Sequence, residues 1–132
     1  MGSGDRLYKV LIAEDQAIIA FCIEQTIEGF GPYATACVGS VSAALALIQR
    51  DHWDAAILDL ALAQGEAAYP VADELAAIGV PFAFATGWDG ALAGRFSDVP
   101  VLRKPFGDQD LERCLEMLLR KTPNLLVEQL AA

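Results

Sequence analysis

Asp59 ends the run Trp53-Asp54-Ala55-Ala56-Ile57-Leu58-Asp59-Leu60, and the chemistry of this chain centres on it. Glu14-Asp15 close an apolar run near the N-terminus, Thr86-Gly87 close Phe82-Ala83-Phe84-Ala85, and Lys104-Pro105-Phe106 follow Val101-Leu102-Arg103. Carboxylates gathered at one place repel one another and need a cation to stay ionised together. Magnesium suits such a set, because it takes a few carboxylate oxygens and fills its octahedron with water and phosphate. With a hydroxyl from Thr86, an ammonium from Lys104 and nearby backbone N–H groups, the set becomes a receptor for a phosphoryl group. Asp59 is then the nucleophile, yielding an aspartyl phosphate.

Each of these groups has an ordinary use when taken singly. Asp59 and Glu14-Asp15 could cap turns or helices, Thr86 could be a plain strand end, and Lys104-Pro105 a surface turn. Their shared placement after apolar runs gives them a common meaning. Ala55–Leu58 is apolar on every residue, as in a strand buried on both faces of a parallel sheet. Open α/β sheets place their chemistry at the carboxyl ends of such strands.

The rest of the chain supplies the elements that such an edge needs. Strands are expected at 7–13, 33–38, 54–58, 81–86 and 99–103. Between them, 17–28 carries Ile18, Ile19, Cys22, Ile23 and Ile27 at helical spacing, with Asp15 as its N-cap and Gly29 and Gly31 beyond its end. Ser40 or Ser42 caps a helix through Arg50. Tyr69-Pro70 opens one that ends at Gly79. A last helix starts at Gly107 or Asp108, with Leu111, Leu115, Leu118 and Leu119 as its apolar stripe. Five strands alternating with helices predict a doubly wound, five-stranded parallel sheet with helices on both faces. The fourth helix is the exception. Only 87–100 is available for it, Gly87, Gly90 and Gly94 each cost about 1 kcal/mol inside a helix, and 89–96 is expected to be short or frayed until phosphorylation orders it.

Composition narrows the function further. The 132 residues suit one domain, with residues 1–6 as a tail partly of the kind left by cloning and 122–132 as an apolar C-terminal tail that packs on the body or on another chain. A net charge of −9 gives no electrostatic drive toward nucleic acid or anionic lipid. No apolar run is long enough to span a bilayer and no signal peptide opens the chain, which points to the cytoplasm. Cys22, Cys37 and Cys114 read as reduced core residues, and the single histidine, His52, as a helix C-terminal cation beside a partly buried Trp53.

Over residues 7–121 the chain resembles the receiver domains of two-component response regulators. The resemblance rests on Glu14-Asp15 after the first strand, Asp59 after the third, Thr86 after the fourth and Lys104-Pro105-Phe106 after the fifth. It implies a flavodoxin-like receiver fold, Asp59 as phosphoacceptor, and Mg2+ held by Glu14, Asp15, Asp59 and the backbone carbonyl of Ala61. It further implies phosphoryl contacts from Thr86, Lys104 and the Gly87 amide, and a cis Lys104–Pro105 bond. The donor would be a phosphohistidine on a sensor histidine kinase or phosphotransfer protein. Phe82-Ala83-Phe84-Ala85-Thr86-Gly87-Trp88 is similar to the FATGUY subgroup of receivers, which implies a stand-alone regulator, stress-response circuitry and kinases of the HWE type. Asp89 departs from that pattern, standing where the subgroup has tyrosine. Trp88 beside the site could be core, a lid or a partner contact. Val101 occupies the place where most receivers carry a switching Tyr or Phe, so the signal must travel by another route.

Such a protein is no conventional enzyme. It assists its own phosphorylation and dephosphorylation, and signals by protein contact or drains phosphate from a shared kinase. Two other classes remain open on the residues. A haloacid-dehalogenase-like phosphatase needs a second acid two residues after the nucleophile, where Ala61 stands. A pure interaction domain would keep the fold without being phosphorylated. A flavodoxin-like cofactor binder fits least, for want of a phosphate loop after the first strand.

Overall fold

The computed structural model describes residues 6–87 and 92–120. The elements are β1 (Tyr8–Ala13), α1 (Ala17–Gly29), β2 (Tyr33–Val38), α2 (Val41–Arg50), β3 (Ala55–Asp59), α3 (Tyr69–Ile78), β4 (Phe82–Thr86), β5 (Val101–Arg103) and α4 (Asp108–Leu119). The strands form one parallel sheet in the order β2-β1-β3-β4-β5. The expected α/β class and strand arrangement are thus those observed.

β3 lies at the centre with all five residues buried, which explains its uninterrupted apolar run up to Asp59. Alternate residues divide between two cores. Leu11, Ala56, Leu58, Phe82 and Phe84 pack with Ala44 and Ile48 of α2 and Val71 and Leu75 of α3. Val10, Ile12, Ile57, Ala83 and Leu102 pack with Ile23 and Ile27 of α1 and Leu111, Leu115 and Leu118 of α4. Helices on both faces leave only the strand ends open, so the residues that terminate strands are those free to do chemistry.

Local signals account for most boundaries. Ser40 caps α2, its side chain accepting from the Ala43 amide at 3.2 Å. Pro70 sits in the first turn of α3, and Gly79 closes that helix in the left-handed conformation at φ 80°. Asp15 does not cap α1; the cap position is Gln16, whose amide donates to Glu14 Oε2 at 3.0 Å. Glu14 and Asp15 are thereby kept for the strand edge.

Three further expectations need correction. Ile18 and Cys22 are exposed, and the buried face of α1 is formed by Ala20, Ile23 and Ile27. The apolar residues of α1 are spread over more than one face, so their spacing alone did not fix which side is inward. His52 lies just past the end of α2, but its ring nitrogen meets Asp54 Oδ1 at 3.1 Å, and Trp53 is buried rather than partly so, donating from Nε1 to the Leu47 carbonyl at 3.0 Å. The connection between β4 and β5 carries a 3-10 turn at Gly94–Phe96 in place of an α-helix, as its glycines imply, but its residues 93–96 are already packed in the unmodified chain, with Phe96 buried, rather than waiting on phosphorylation to order them. Residues 88–91, including Trp88 and Asp89, lie outside the described residues, as do the tails 1–5 and 121–132.

Candidate functional site

The parallel sheet delivers the expected side chains to one edge. Glu14 and Asp15 directly follow β1, Asp59 is the last residue of β3, Thr86 the last of β4, and Lys104 follows β5. Glu14 continues the ladder, its amide donating to the Val38 carbonyl at 2.8 Å. Lys104 is fixed in the same way by its amide on the Thr86 carbonyl at 2.9 Å, and the Lys104–Pro105 bond that follows is cis.

Lys104 Nζ donates to Asp59 Oδ2 at 2.9 Å and to Glu14 Oε1 at 3.0 Å. The Ala61 amide donates to Asp59 Oδ1 at 3.1 Å. Glu14, Asp59 and Thr86 are buried, whereas Asp15 is exposed. Burial pushes the Glu14 carboxyl above its ordinary range, against the pull of the Gln16 amide and Lys104, and the nearby Asp59 pushes it the same way. For Lys104, desolvation favours the neutral amine, but the bonds to Asp59 and Glu14 prevail and hold the ammonium above its usual range.

Glu14, Asp15 and Asp59 each bring a carboxylate oxygen within 4.8 Å of the others. One lysine bonds two of the three carboxylates but offsets only one of their three charges, so the site carries a residual negative charge beside an open, exposed Asp15. A hard divalent cation with oxygen ligands fits that donor set. Gly87 is exposed beside the site, and a Cβ there would come no closer than 4.0 Å to Lys104 Cβ.

With this geometry established, likeness to known proteins decides the family. SdrG from Sphingomonas melonis Fr1, known in solution, is 42% identical, with a TM-score of 0.73 over 86% of this chain and 97% of SdrG. The chain belongs to the response regulator receiver family. The BeF3-activated conformation of SdrG is 41% identical, with a TM-score of 0.71 over 84% of this chain and 95% of that one. The response regulator PhyR from Brucella abortus is 25% identical with a TM-score of 0.75, and the match covers 89% of this receiver but 49% of PhyR. No family model matches the chain, and no curated protein does either. No described helix is long and apolar enough to cross a membrane.

Sequence reasoning overlooked two features around the site. Gly39, just after β2, lies so close to the acidic pair that a Cβ there would sit 3.3 Å from Asp15 Cα. A glycine ending a strand was the available signal, but nothing in the spacing says which backbone it approaches. The second is Tyr69, whose ring and hydroxyl hold the β4–β5 connection.

Proposed function

We propose that this receiver accepts a phosphoryl group on Asp59 from a phosphohistidine of a sensor kinase or phosphotransfer protein. The observation that carries the reading is the Asp59 carboxylate at the central strand end, bonded to Lys104 at 2.9 Å with Glu14 and Asp15 beside it. A carboxylate oxygen of Asp59 attacks phosphorus, and the P–N bond breaks with its electron pair going to the imidazole. Lys104 neutralises the charge in flight, while the Thr86 hydroxyl and the Gly87 amide bond the phosphoryl oxygens. Glu14, Asp15, Asp59 and the Ala61 carbonyl would hold Mg2+, which supplies countercharge and orients the incoming phosphoryl group.

The surface beside the site supports a protein donor. Ile18 and Phe21 on α1 are 79% and 60% exposed. Ile18 lines a groove of about 290 Å³ together with Cys22, Lys104, Phe106 and Leu111. An apolar face next to the nucleophile suits a helical partner presenting its histidine. We assign the chain to the FATGUY subgroup on Phe82–Gly87, and take its circuit to be a stress response with HWE-type kinases. Residues 7–121 form the receiver domain and act alone, through protein contact or as a phosphate sink. The match over 97% of SdrG supports that assignment.

Mass spectrometry after treatment with acetyl phosphate and Mg2+ tests the chemistry. One added phosphoryl group is expected, absent in excess EDTA and absent in Asp59→Asn. Equal labelling without the metal, or full labelling of Asp59→Asn, overturns the reading, and a wild type that takes no label under any of these conditions leaves an interaction domain that is never phosphorylated.

A further inference from the structure

Tyr69, the first residue of α3, is half-buried between the β4–β5 connection and the core. Its ring stacks on Phe96 at 5.4 Å and 9° between planes, and meets Phe84 edge-on at 5.9 Å. Its hydroxyl accepts from the Ala93 amide at 3.2 Å. Arg95 closes the assembly from outside: Nε and Nη2 fork onto Asp73 at 2.9 and 3.0 Å, with the guanidinium 4.7 Å from the Phe96 ring and 5.7 Å from that of Tyr69. Residues 93–96 are therefore fastened to α3 by a hydrogen bond, a ring stack and a planar ion pair.

Tyr69 is also linked to the site from two sides. The Ala68 amide donates to the Leu60 carbonyl at 2.9 Å, joining the residue after Asp59 to the residue before Tyr69. Phe84, against which the Tyr69 ring rests, lies two residues before Thr86 on β4. Past Gly87 the chain runs on to Ala93, the residue whose amide Tyr69 holds. Movement of Thr86 toward a phosphoryl group on Asp59 thus shifts the end of β4 that carries Phe84, on which the Tyr69 ring rests. β5 offers no ring for such coupling, since Val101, Leu102 and Arg103 make up the strand. The Arg95–Asp73 fork is solvent-exposed on both sides, and an ion pair of that kind yields easily.

We propose that Tyr69 and Arg95 form a latch that holds the β4–β5 connection on α3 while Asp59 is unmodified. Phosphorylation opens it, releasing residues 93–96 from α3. The latch rests on the phosphoacceptor reading and adds to it the route by which the signal leaves the site. Contacts made only in the unmodified state oppose the change, so removing them favours the activated state by the same factor.

Beryllofluoride with Mg2+, titrated into the full chain, tests this. Tyr69→Phe, which keeps the ring, and Arg95→Gln should each bind the mimic about three- to tenfold more tightly than wild type. In the wild type, the mimic should speed hydrogen exchange of the Ala93 amide at least about tenfold. A purely structural role would lower the melting temperature and leave the affinity unchanged. Unchanged or weaker affinity in both variants, or an Ala93 amide equally protected with the mimic, overturns the latch. A wild type that binds no beryllofluoride in the presence of Mg2+ overturns the phosphoacceptor reading instead, and the latch falls with it.

Discussion

Lys104→Ala separates the lysine's electrostatic role from a structural one. The ammonium makes two charge-assisted hydrogen bonds, at 2.9 Å to Asp59 and 3.0 Å to Glu14. Bonds to charged groups contribute roughly 1.5–3 kcal/mol each. Part of that gain offsets the cost of desolvating Lys104 itself, whose side chain is 24% exposed against 1% for Glu14. A net loss of about 2 kcal/mol is left, which in a domain of this size lowers the melting temperature by about 8 °C. The loss is expected in EDTA, where Glu14 and Asp59 face each other with no cation between them.

Magnesium should reverse it. Removing a positive charge from the carboxylate cluster raises the site's affinity for a divalent ion, and a ligand at a hundred times its Kd returns about 2.7 kcal/mol. Acid acts in the same direction. The Glu14 carboxyl is already raised by burial, and losing Lys104 raises it further. A folded-state pKa above the unfolded one gives stability that is complete below the unfolded value and lost as pH rises through the folded one. The variant should therefore approach wild-type stability as pH falls through that window. Thermal melts with EDTA or Mg2+, each at pH 5 and pH 8 (chosen to bracket a raised carboxyl), measure both effects. A deficit that neither Mg2+ nor acid reduces, or an unfolded variant under every condition, refutes the electrostatic account and makes Lys104 a packing residue.

Two further outcomes follow from neighbouring groups. Gly39→Ala should weaken Mg2+ binding severalfold in calorimetric titration while costing about 1 kcal/mol of stability, because its Cβ would meet Asp15 Cα at 3.3 Å and displace the acidic pair; unchanged Mg2+ affinity would show that Asp15 does not ligate. Iodoacetamide at pH 8 should label Cys22 alone in the native protein, since Cys22 is exposed while burial pushes the Cys37 thiol up to about 12 and that of Cys114 up to about 11. Comparable labelling of all three would contradict that placement.

The sheet and its acidic edge were legible in the sequence because a buried parallel strand shows itself twice. Its interior is continuously apolar, as in Ala55–Leu58, and its polar end stands out sharply, as at Asp59. The same contrast marks Ala13 before Glu14 and Ala85 before Thr86, whereas β5 shows it less sharply, with Arg103 standing between Leu102 and Lys104. Once the strands are parallel, those ends must share an edge, and the charges there explain one another. α1 lacks such a contrast. Its apolar residues include Ile18, Phe21 and Cys22 on the solvent side, so a helical period alone placed Ile18 and Cys22 inward. The β4–β5 connection was legible only in its backbone. Its glycines correctly argue against a full helix, but the burial of Phe96 is decided by Tyr69, Phe82 and Phe84, which lie on other elements. Arg95 and Asp73 are likewise far apart in the chain and carry no mutual period. Such contacts depend on how α3 lies against β4, a tertiary fact that neither residue's neighbours encode. The missing ring at Val101 was the one clue that the signal leaves by a different path. Only the folded chain shows that an aromatic residue is present after all, at the start of α3 and not in β5.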